Sequence, residues 1–499
     1  MIPDWTAPLA LISLSLGPAI IVFLLRREQA WARNAVNMAG AGLKLLVVAA
    51  LLSQVGAGER YSLAVDLGPG LTLLLRIDAL SLLFITLSAL LWFVTTLYAI
   101  GYLQGDPEQR RFFGFFSLCV SATVGIALAG NLFTFFIFYE LLTLSTLPLV
   151  AHKGNAASLA AARRYLTYTL GGSAALLVGI LWLLTMTGGS DFAAAPSEDL
   201  QRMAAEAPGT ATAIFALMVA GLAVKGAMIP FHGWLPSAMV APAPVSALLH
   251  AVAVVKAGAF GIVRVVLDVY GIGLVGDLGL GSGLAMAASV TILGGSLLAL
   301  RQTAIKKRLA FSTVSQVSYI MLGLSLLSPL GLAGALVHLV HQGLMKITLF
   351  FCAGILEKTH GITQITQLNG VGRRLPVTML AFSVAALGMI GLPPMAGFIS
   401  KWHLGLGALQ SGMDWVILIL AGSTLLNSAY FLPLIYRCWF LEPPQAEEGG
   451  EAVDASLLIL GPAVFAAGAA LAVGLFAGLG ISPLSWVLLI IERTYGVTG

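Results

Sequence analysis

The sequence carries little charge: only 10% of its 499 residues are Asp, Glu, Lys or Arg, whereas 59% are hydrophobic. Soluble domains carry about 25% charged residues, so the composition excludes a soluble enzyme and predicts a polytopic membrane protein. The net charge of +4 gives no indication of a nucleic-acid partner. Cysteine is also scarce, and the three cysteines are too far apart for a CxxC pair, a metal-binding spacing or a disulfide framework. We therefore expect no cofactor, no metal site and no catalytic redox centre in this chain.

Apolar segments of the length that crosses a bilayer, about 20 residues, are abundant. We predict an all-α protein of fourteen transmembrane helices surrounded by lipid. The first segment lacks the basic start and the cleavage site of a signal peptide, so we expect it to be a spanning helix. The predicted spans are 7–25, 35–54, 79–100, 112–130, 132–150, 165–187, 212–235, 244–267, 283–300, 309–328, 331–355, 377–410, 415–436 and 457–480.

The basic residues are distributed unevenly between the predicted loops. Most of the 26 Lys and Arg residues fall in the odd-numbered loops, beginning with the loop after the first helix. The positive-inside rule places such loops in the cytoplasm. We therefore expect a multi-pass protein of a bacterial-type inner (plasma) membrane, with both termini on the outer face. The arginines expected at that outer face are Arg60, Arg76, Arg202, Arg264 and Arg493.

Two predicted helices contain prolines that must interrupt them, Pro230 in the seventh span and the pair Pro393 and Pro394 in the twelfth. In lipid, a broken helix is tolerated only where it lines a cavity or is buried in protein. Corresponding breaks in two halves indicate an inverted-repeat transporter with its site at mid-membrane. We predict N-terminal helices 1–3 in residues 1–111 and a first five-helix repeat in 112–267. A second repeat would occupy 268–437, and a loop with helix 14 would occupy 438–499.

Ionisable residues inside the spans mark an ion pathway, because charge is expensive at that depth. Glu140 lies in the middle of the fifth span, and we expect it to pair with Lys225, just before the first break. Of the Lys and Arg residues, those assigned to the interior of the spans are all lysine, which can change its protonation state, whereas arginine stays charged. The predicted proton relay is Glu140, Lys225, Lys256, His338, Lys346 and Lys401. Secondary candidates are His250, His341, His232 and Lys44.

Each of these residues has a purely structural alternative. A histidine in a membrane helix can serve as a packing hydrogen bonder, Glu140 and Lys225 can form a structural ion pair, and Lys44 can contact a partner subunit. His338 and His341 are disfavoured as haem or metal ligands, because no second pair of histidines and no carboxylate cluster completes such a site.

Six stretches together resemble a known family: the proton-conducting antiporter-like membrane subunits shared by Mrp-type cation/proton antiporters, respiratory complex I and membrane-bound hydrogenases. The resemblance covers about residues 75–440. The stretches are YELLTLSTLPLVAH (139–152), KGAMIPFHGWLPSAM (225–239), APAPVSALLHAVAVVKAG (241–258), KKRLAFSTVSQVSY (306–319), HLVHQGLMK (338–346) and LPPMAGFISK (392–401).

The resemblance implies fourteen helices, inverted five-helix repeats with helices 7 and 12 broken, and a water-filled polar axis. By position it implies relay roles for the six residues given above, whereas His341 is one residue out of the family's register. Length and motifs best resemble the D-type component of Mrp antiporters, since the chain ends soon after predicted helix 14 without a long lateral helix.

The expected function is therefore proton translocation within a multi-subunit Mrp-type antiporter that exchanges H⁺ for a monovalent cation, expected to be Na⁺. The expected partners are other membrane subunits. The alternative is an antiporter-like, proton-pumping subunit of a redox-driven complex, either an NADH-quinone oxidoreductase or a membrane-bound hydrogenase. In that case any oxidoreductase activity would belong to the complex. A self-sufficient solute carrier is less favoured, because the polar axis lacks a substrate-sized set of convergent donors.

Overall fold

The structure is a computed structural model that describes residues 4–68, 71–443 and 454–496. Within these ranges the chain is almost entirely helical, with one two-stranded antiparallel sheet. The elements are α1 (Thr6–Leu24), α2 (Ala30–Gly56), β1 (Tyr61–Gly68), β2 (Leu71–Ile77), α3 (Ala79–Tyr102), α4 (Gln109–Leu128), α5 (Leu132–Val150), α6 (Ala156–Thr187), α7 (Glu198–Glu206), α8 (Pro208–Lys225), α9 (Trp234–Ser237), α10 (Ala243–Ala247), α11 (Val254–Arg264), α12 (Gly271–Asp277), α13 (Leu280–Leu300), α14 (Ile305–Ser325), α15 (Pro329–His360), α16 (Val371–Arg374), α17 (Pro376–Ile390), α18 (Ala396–Gln410), α19 (Trp415–Phe440), α20 (Leu457–Leu475) and α21 (Pro483–Tyr495).

Eleven helices of the described residues are long and apolar enough to cross a membrane: α1 to α6, α8, α13, α15, α19 and α20. The remaining three predicted spans correspond to α14, which is more polar, and to the interrupted segments α10–α11 and α17–α18. The predicted all-α polytopic membrane fold is confirmed, and the total of fourteen crossings stays a prediction. The predicted loop before helix 14 lies partly outside the described residues, as do residues 1–3 and 497–499.

Both helices predicted to contain proline breaks are interrupted beside those prolines. Helix α8 ends at Lys225, and the chain continues through a turn and a 3₁₀ segment before the single turn of α9. Helix α17 ends at Ile390, where Gly391 adopts the left-handed conformation (φ +92°) that glycine tolerates. Helix α18 then begins at Ala396. Each break exposes the last carbonyl groups of a helix inside the protein, where they require hydrogen-bond donors.

A third interruption contradicts the prediction of a continuous eighth helix over 244–267. Helix α10 gives way to a π-helical turn at Leu248–Val252, and Ala253 then leaves helical geometry (φ −105°, ψ −86°) before α11 begins. The amide of Ala253 bonds to the carbonyl of Leu248, the wide spacing of a π turn. No proline or glycine lies at residues 248–253, so the sequence pattern carried no sign of this break.

A hairpin and two short helices were also absent from the predicted elements. Strand β1 pairs with β2 from Tyr61 opposite Ile77, and Asn131, the N-cap of α5, donates to the carbonyl of Thr72 at 2.9 Å. Helix α7 lies within a predicted hydrophilic loop, and α21 follows the last predicted span. The missed signal for the hairpin is the pair of short apolar runs on either side of the sequence Gly-Pro-Gly.

Helix α15 forms the centre of the protein. It has 32 residues, begins at the N-cap Ser328 with Pro329 in the first turn, and ends at the left-handed Gly361. Its most apolar stretch is wholly buried. Polar side chains on such a helix face other helices rather than lipid, so α15 is suited to carry an internal site.

Candidate proton relay

The ammonium group of Lys225 lies at the first break, at the C-terminal end of α8. Its Nζ is 3.9 Å from Glu140 Oε1, donates a hydrogen bond to the carbonyl of Tyr139, and lies 3.3 Å from the centroid of the Tyr139 ring. The Lys225 side chain is 1% exposed and that of Glu140 is 24% exposed. The carboxylate, the carbonyl and the aromatic ring all stabilise a positive charge, so this position can hold a protonated lysine.

Glu140 is positioned by a hydroxyl group that the sequence analysis did not single out. Ser173, on α6, donates a hydrogen bond to Glu140 Oε1, the oxygen atom that faces Lys225. Hydrogen bonds to an ionised acceptor are stronger than neutral ones. Ser173 therefore orients the carboxyl group of Glu140 towards Lys225.

Lys256 lies on α11, beyond the third break, and its Nζ donates to the carbonyl of Leu339 on α15 at 2.8 Å. Two residues further along α11, Gly258 contacts the end of α8. A Cβ atom there would lie 2.3 Å from the amide nitrogen of Gly226 and 2.8 Å from the carbonyl carbon of Lys225. The backbone around Lys256 is thus packed directly against the backbone of the first break.

Helix α15 contributes two predicted relay residues and one secondary candidate, all fully buried. Lys346 donates to the carbonyl of Leu309 at 3.1 Å and to the hydroxyl of Ser312. His338 Nε2 lies 3.1 Å from the carbonyl of Gln316 on α14. His341 Nδ1 instead lies 3.1 Å from Ser400 Oγ on α18, so the two histidines contact different helices.

The α15 group interacts electrostatically with lysines on both sides of it. His338 interacts with Lys256 and with Lys401, and Lys346 interacts with Lys256 and with His250. These interactions are repulsive between protonated groups. The second half of the predicted series is therefore a single coupled cluster rather than a set of isolated sites.

Lys401 is held at the second break. Its Nζ donates to the carbonyl of Ile390 at 2.7 Å and to Thr424 Oγ1 at 3.0 Å. Ile390 is the last residue of α17, so its carbonyl is free to accept because the helix stops there. The preceding carbonyl, of Met389, accepts from the side-chain amides of Gln316 and Asn427 at 3.3 and 3.4 Å. The break is thus capped by a lysine and two amides.

The secondary candidates lie in less polar surroundings. Both ring nitrogens of buried His250 lack a hydrogen-bond partner among the described residues, and its ring stacks on Phe350 with centroids 4.5 Å apart. His232 is half-buried beside the first break, with its ring 6.0 Å from that of Phe311. Lys44 lies apart from the other lysines, on α2.

The buried Nζ of Lys44 donates to Ser15 Oγ at 2.7 Å and lies 4.8 Å from the ring of Trp92. Within the described residues, no group of three or more His, Cys, Asp or Glu side chains is placed to hold a metal ion. The site is built from amines, imidazoles, hydroxyls and one carboxylate, all of which are groups that can bind and release protons.

Comparison with known proteins agrees with this architecture. A sequence model of the family described as "NADH:quinone oxidoreductase/Mrp antiporter, TM" matches residues 129–427, which is more than half of the chain. A second model, "NADH-Ubiquinone oxidoreductase (complex I), chain 5 N-terminus", matches residues 69–113. The chain belongs to this family. The predicted resemblance is confirmed, and the protein is an antiporter-like membrane subunit of the proton-pumping type.

Individual relatives come from different complexes. The chain is 37% identical to "NADH-quinone oxidoreductase subunit N" of Desulforudis audaxviator over 74% of each chain. It is 33% identical to a probable K(+)/H(+) antiporter subunit of Rhizobium meliloti over 80% of this chain and 40% of that relative. Hydrogenase components are also among the relatives.

The fold agrees with that of a chain in a solved Mrp complex. A chain in "Structure of Mrp complex from Dietzia sp. DQ12-45-1b" superposes with a TM-score of 0.83 at 25% identity, over 98% of both chains. Family membership therefore identifies a subunit type that Mrp antiporters, complex I and hydrogenases have in common.

Proposed function

We propose that the chain is a proton-translocating subunit of a multi-subunit Mrp-type antiporter that exchanges H⁺ for a monovalent cation, with Na⁺ as the expected cation. The observation that carries this proposal is Lys225, held at a helix break 3.9 Å from Glu140. The similarity of nearly the whole chain to a subunit in a Mrp complex supports the choice of complex. A relative named as a Na(+)/H(+) antiporter subunit, 31% identical over 82% of this chain, supports the choice of cation.

The proposed relay begins when Lys225 takes up a proton from water that reaches the first break. Glu140, oriented by Ser173, holds the resulting charge. Proton transfer to Lys256 follows through water across the contact at Gly258, and repulsion within the α15 cluster drives the charge on towards Lys401. Each lysine presents its amine to a backbone carbonyl, which orients the amine. His250 and His341 are proposed as auxiliary stations between the lysines.

Two helices of equal length support the proposed five-helix repeats. Helices α6 and α15 both have 32 residues, and each would be the third helix of its repeat. Ser173 and Lys346 both lie seventeen residues after the start of their helix. Ser173 contacts Glu140 on α5, and Lys346 contacts Ser312 on α14, which is the preceding helix in each repeat. The proposed repeats, 112–267 and 268–437, thus present related pairs at related positions.

The contacts of the predicted loops support the proposed topology. At the start of α2, Arg33 hydrogen-bonds Gln109, whereas at its end Arg493 hydrogen-bonds the carbonyl of Gly56. Helix α2 is 27 residues long, or about 40 Å at 1.5 Å per residue. We propose that the start of α2 faces the cytoplasm of a bacterial-type cell, and that both termini of the chain lie at the opposite face, where α2 ends.

The test is to replace Lys225 by alanine in the assembled complex. Lys225→Ala removes the amine and should abolish cation exchange driven by a pH gradient in everted membrane vesicles. Lys225→Arg preserves the charge without a readily lost proton, so we expect it to be inactive as well. The amount of complex in the membrane is the control. Near-normal exchange by either variant would contradict the relay.

A redox-driven complex is the second candidate, favoured by the 37% identity to a relative named as an NADH-quinone oxidoreductase subunit. In that case electron transfer in partner subunits would drive the same relay. Mass spectrometry of the intact complex separates the two functions. Partners that carry iron–sulfur or quinone sites would favour the redox complex, whereas only small membrane subunits would favour the antiporter.

A further inference from the structure

A large cleft opens beside the β1–β2 hairpin, at the end of the protein where α2 and α11 finish. Its volume is about 800 Å³, and we call it the hairpin cleft. The predicted outer-face arginines meet there, since four of the five line the cleft together with acidic side chains. The charged residues that line it include Arg60, Arg76, Asp78, Asp191, Arg264 and Asp268.

The floor of the hairpin cleft is a buried charge cluster. Arg264, expected at the outer face, is the last residue of α11, and its side chain is 3% exposed. It pairs with Asp268 at 2.6 Å and with Asp78, the N-cap of α3, at 2.9 Å. An arginine stays charged when buried, so these carboxylates and the water of the cleft stabilise it.

One face of α11 connects this cluster to the proposed relay. Lys256, Phe260 and Arg264 follow one another at intervals of four residues, which places them on the same side of the helix. The whole series spans about 12 Å. Arg264 packs against the Phe260 ring, with its guanidinium carbon 5.2 Å from the centroid. Along this face, Phe260 therefore separates the ionised floor of the cleft from Lys256.

Phe84 and Phe260 together separate the charge cluster of the cleft from Lys256. The Phe260 ring stacks on Phe84 of α3 with centroids 4.8 Å apart and an interplanar angle of 26°. Both rings are at least 99% buried. Asp78, the N-cap of α3, and Arg264, the last residue of α11, belong to the charge cluster of the cleft. The two helices that bear the aromatic pair therefore also carry part of this cluster. The pair is thus an apolar plug one layer thick between two polar regions.

We infer that the Phe84–Phe260 pair is a hydrophobic gate through which Lys256 exchanges protons with the hairpin cleft. An apolar constriction excludes water when closed and conducts protons when it is wetted. The gate provides the middle of the protein with its own opening to the aqueous phase, separate from Lys401 at the second break. The inference rests on the proposed function in one respect only, namely that Lys256 carries a proton.

The test measures passive proton leak through the complex reconstituted in liposomes, from the decay of an imposed pH gradient without a cation gradient. Phe260→Ala removes one side of the plug and should speed the decay at least fivefold, whereas Phe260→Leu should remain close to wild type. Phe112→Ala is the matched control, because Phe112 is equally buried and stacked, with its centroid 5.5 Å from that of Phe116. This control should not leak.

Two further variants make the outcome decisive. Phe84→Ala removes the other ring of the pair, on α3, and should speed the decay of the pH gradient as Phe260→Ala does. It therefore tests the gate if Phe260→Ala does not assemble. A decay no faster than that of Phe112→Ala would overturn the gate. Adding Lys256→Met to the leaking variant should remove the leak, and a persisting leak would overturn Lys256 as the group served. Lys225→Ala with normal exchange would refute the proposed relay and leave the leak measurement unaffected.

Discussion

Gly258→Ala should stop transport without stopping assembly, because Gly258 is where α11 contacts the end of α8. The added Cβ atom would lie 2.3 Å from the amide nitrogen of Gly226 and 2.7 Å from the carbonyl oxygen of Leu222. Relaxed contacts between non-bonded carbon atoms lie at about 3.5–4.0 Å. The groups in the way are backbone, so no side-chain rotation relieves the clash. The two helices must separate by about 1 Å to restore a relaxed contact.

The expected loss follows from that displacement. Overpacking a well-packed core destabilises by about 1–3 kcal/mol, which a large, extensively buried membrane domain tolerates. The transport rate is more sensitive to the displacement than stability is, since a misplacement of about 1 Å can reduce the rate of a positioned reaction about 100-fold. Lys225 is adjacent to the clash and lies 3.9 Å from Glu140. We therefore expect the exchange rate to fall about 100-fold at an unchanged amount of complex.

The assay is cation exchange driven by a pH gradient in everted vesicles, normalised to the assembled complex on native gels. Gly283→Ala is the matched control, because a Cβ atom at this position in α13 meets nothing within 4 Å. It should transport normally, and alanine favours the helix by about 1 kcal/mol. Wild-type exchange by Gly258→Ala at a wild-type amount of complex would refute the argument that this contact positions Lys225.

Two other substitutions test groups that the structure alone identified. Ser173→Ala removes the hydroxyl that donates to Glu140, a charge-assisted hydrogen bond of about 1.5–3 kcal/mol, so the exchange rate should fall roughly tenfold. Ser173→Thr retains a hydroxyl and should restore part of the rate. Equal exchange rates in wild type and Ser173→Ala would remove Ser173 from the site. Asp268→Asn leaves the buried charge of Arg264 with one carboxylate fewer. Breaking a buried ion pair destabilises the folded protein by about 3–5 kcal/mol, so the purified complex should melt at a lower temperature. An unchanged melting temperature would contradict this prediction.

The features that could be predicted from sequence are those whose physical effect is local. Proline interrupts a helix wherever it occurs inside one, so the interruption near Pro230 and the one at Pro393 followed from the sequence alone. An amine inside a long apolar segment is expensive whatever surrounds it. For this reason the lysines stood out before any contact was known.

The features that could not be predicted depend on packing between distant segments. The carbonyl acceptor of Lys256 is 83 residues away in sequence, and that of Lys225 is 86 residues away. Hydroxyl residues such as Ser173 are common in membrane helices, so nothing in the sequence marked this one. The π turn before Ala253 arises without proline or glycine, and the outer-face position predicted for Arg264 gave no indication of its ion pairs with Asp78 and Asp268.

The distribution of carboxylates distinguishes Lys225 from the other amines of the proposed relay. Of the acidic side chains that the structure describes, Glu140 alone lies within 4.0 Å of the amine of Lys225, Lys256, Lys346 or Lys401. A proton on Lys225 is stabilised by that carboxylate, whereas a proton on any of the other three amines is held by neutral acceptors beside other protonatable groups. Two protonated amines in this cluster repel each other strongly, since the surroundings screen charge poorly. In the proposed relay, a proton that leaves Lys225 would therefore enter a region that favours single occupancy, and each arriving proton would favour release of one already bound.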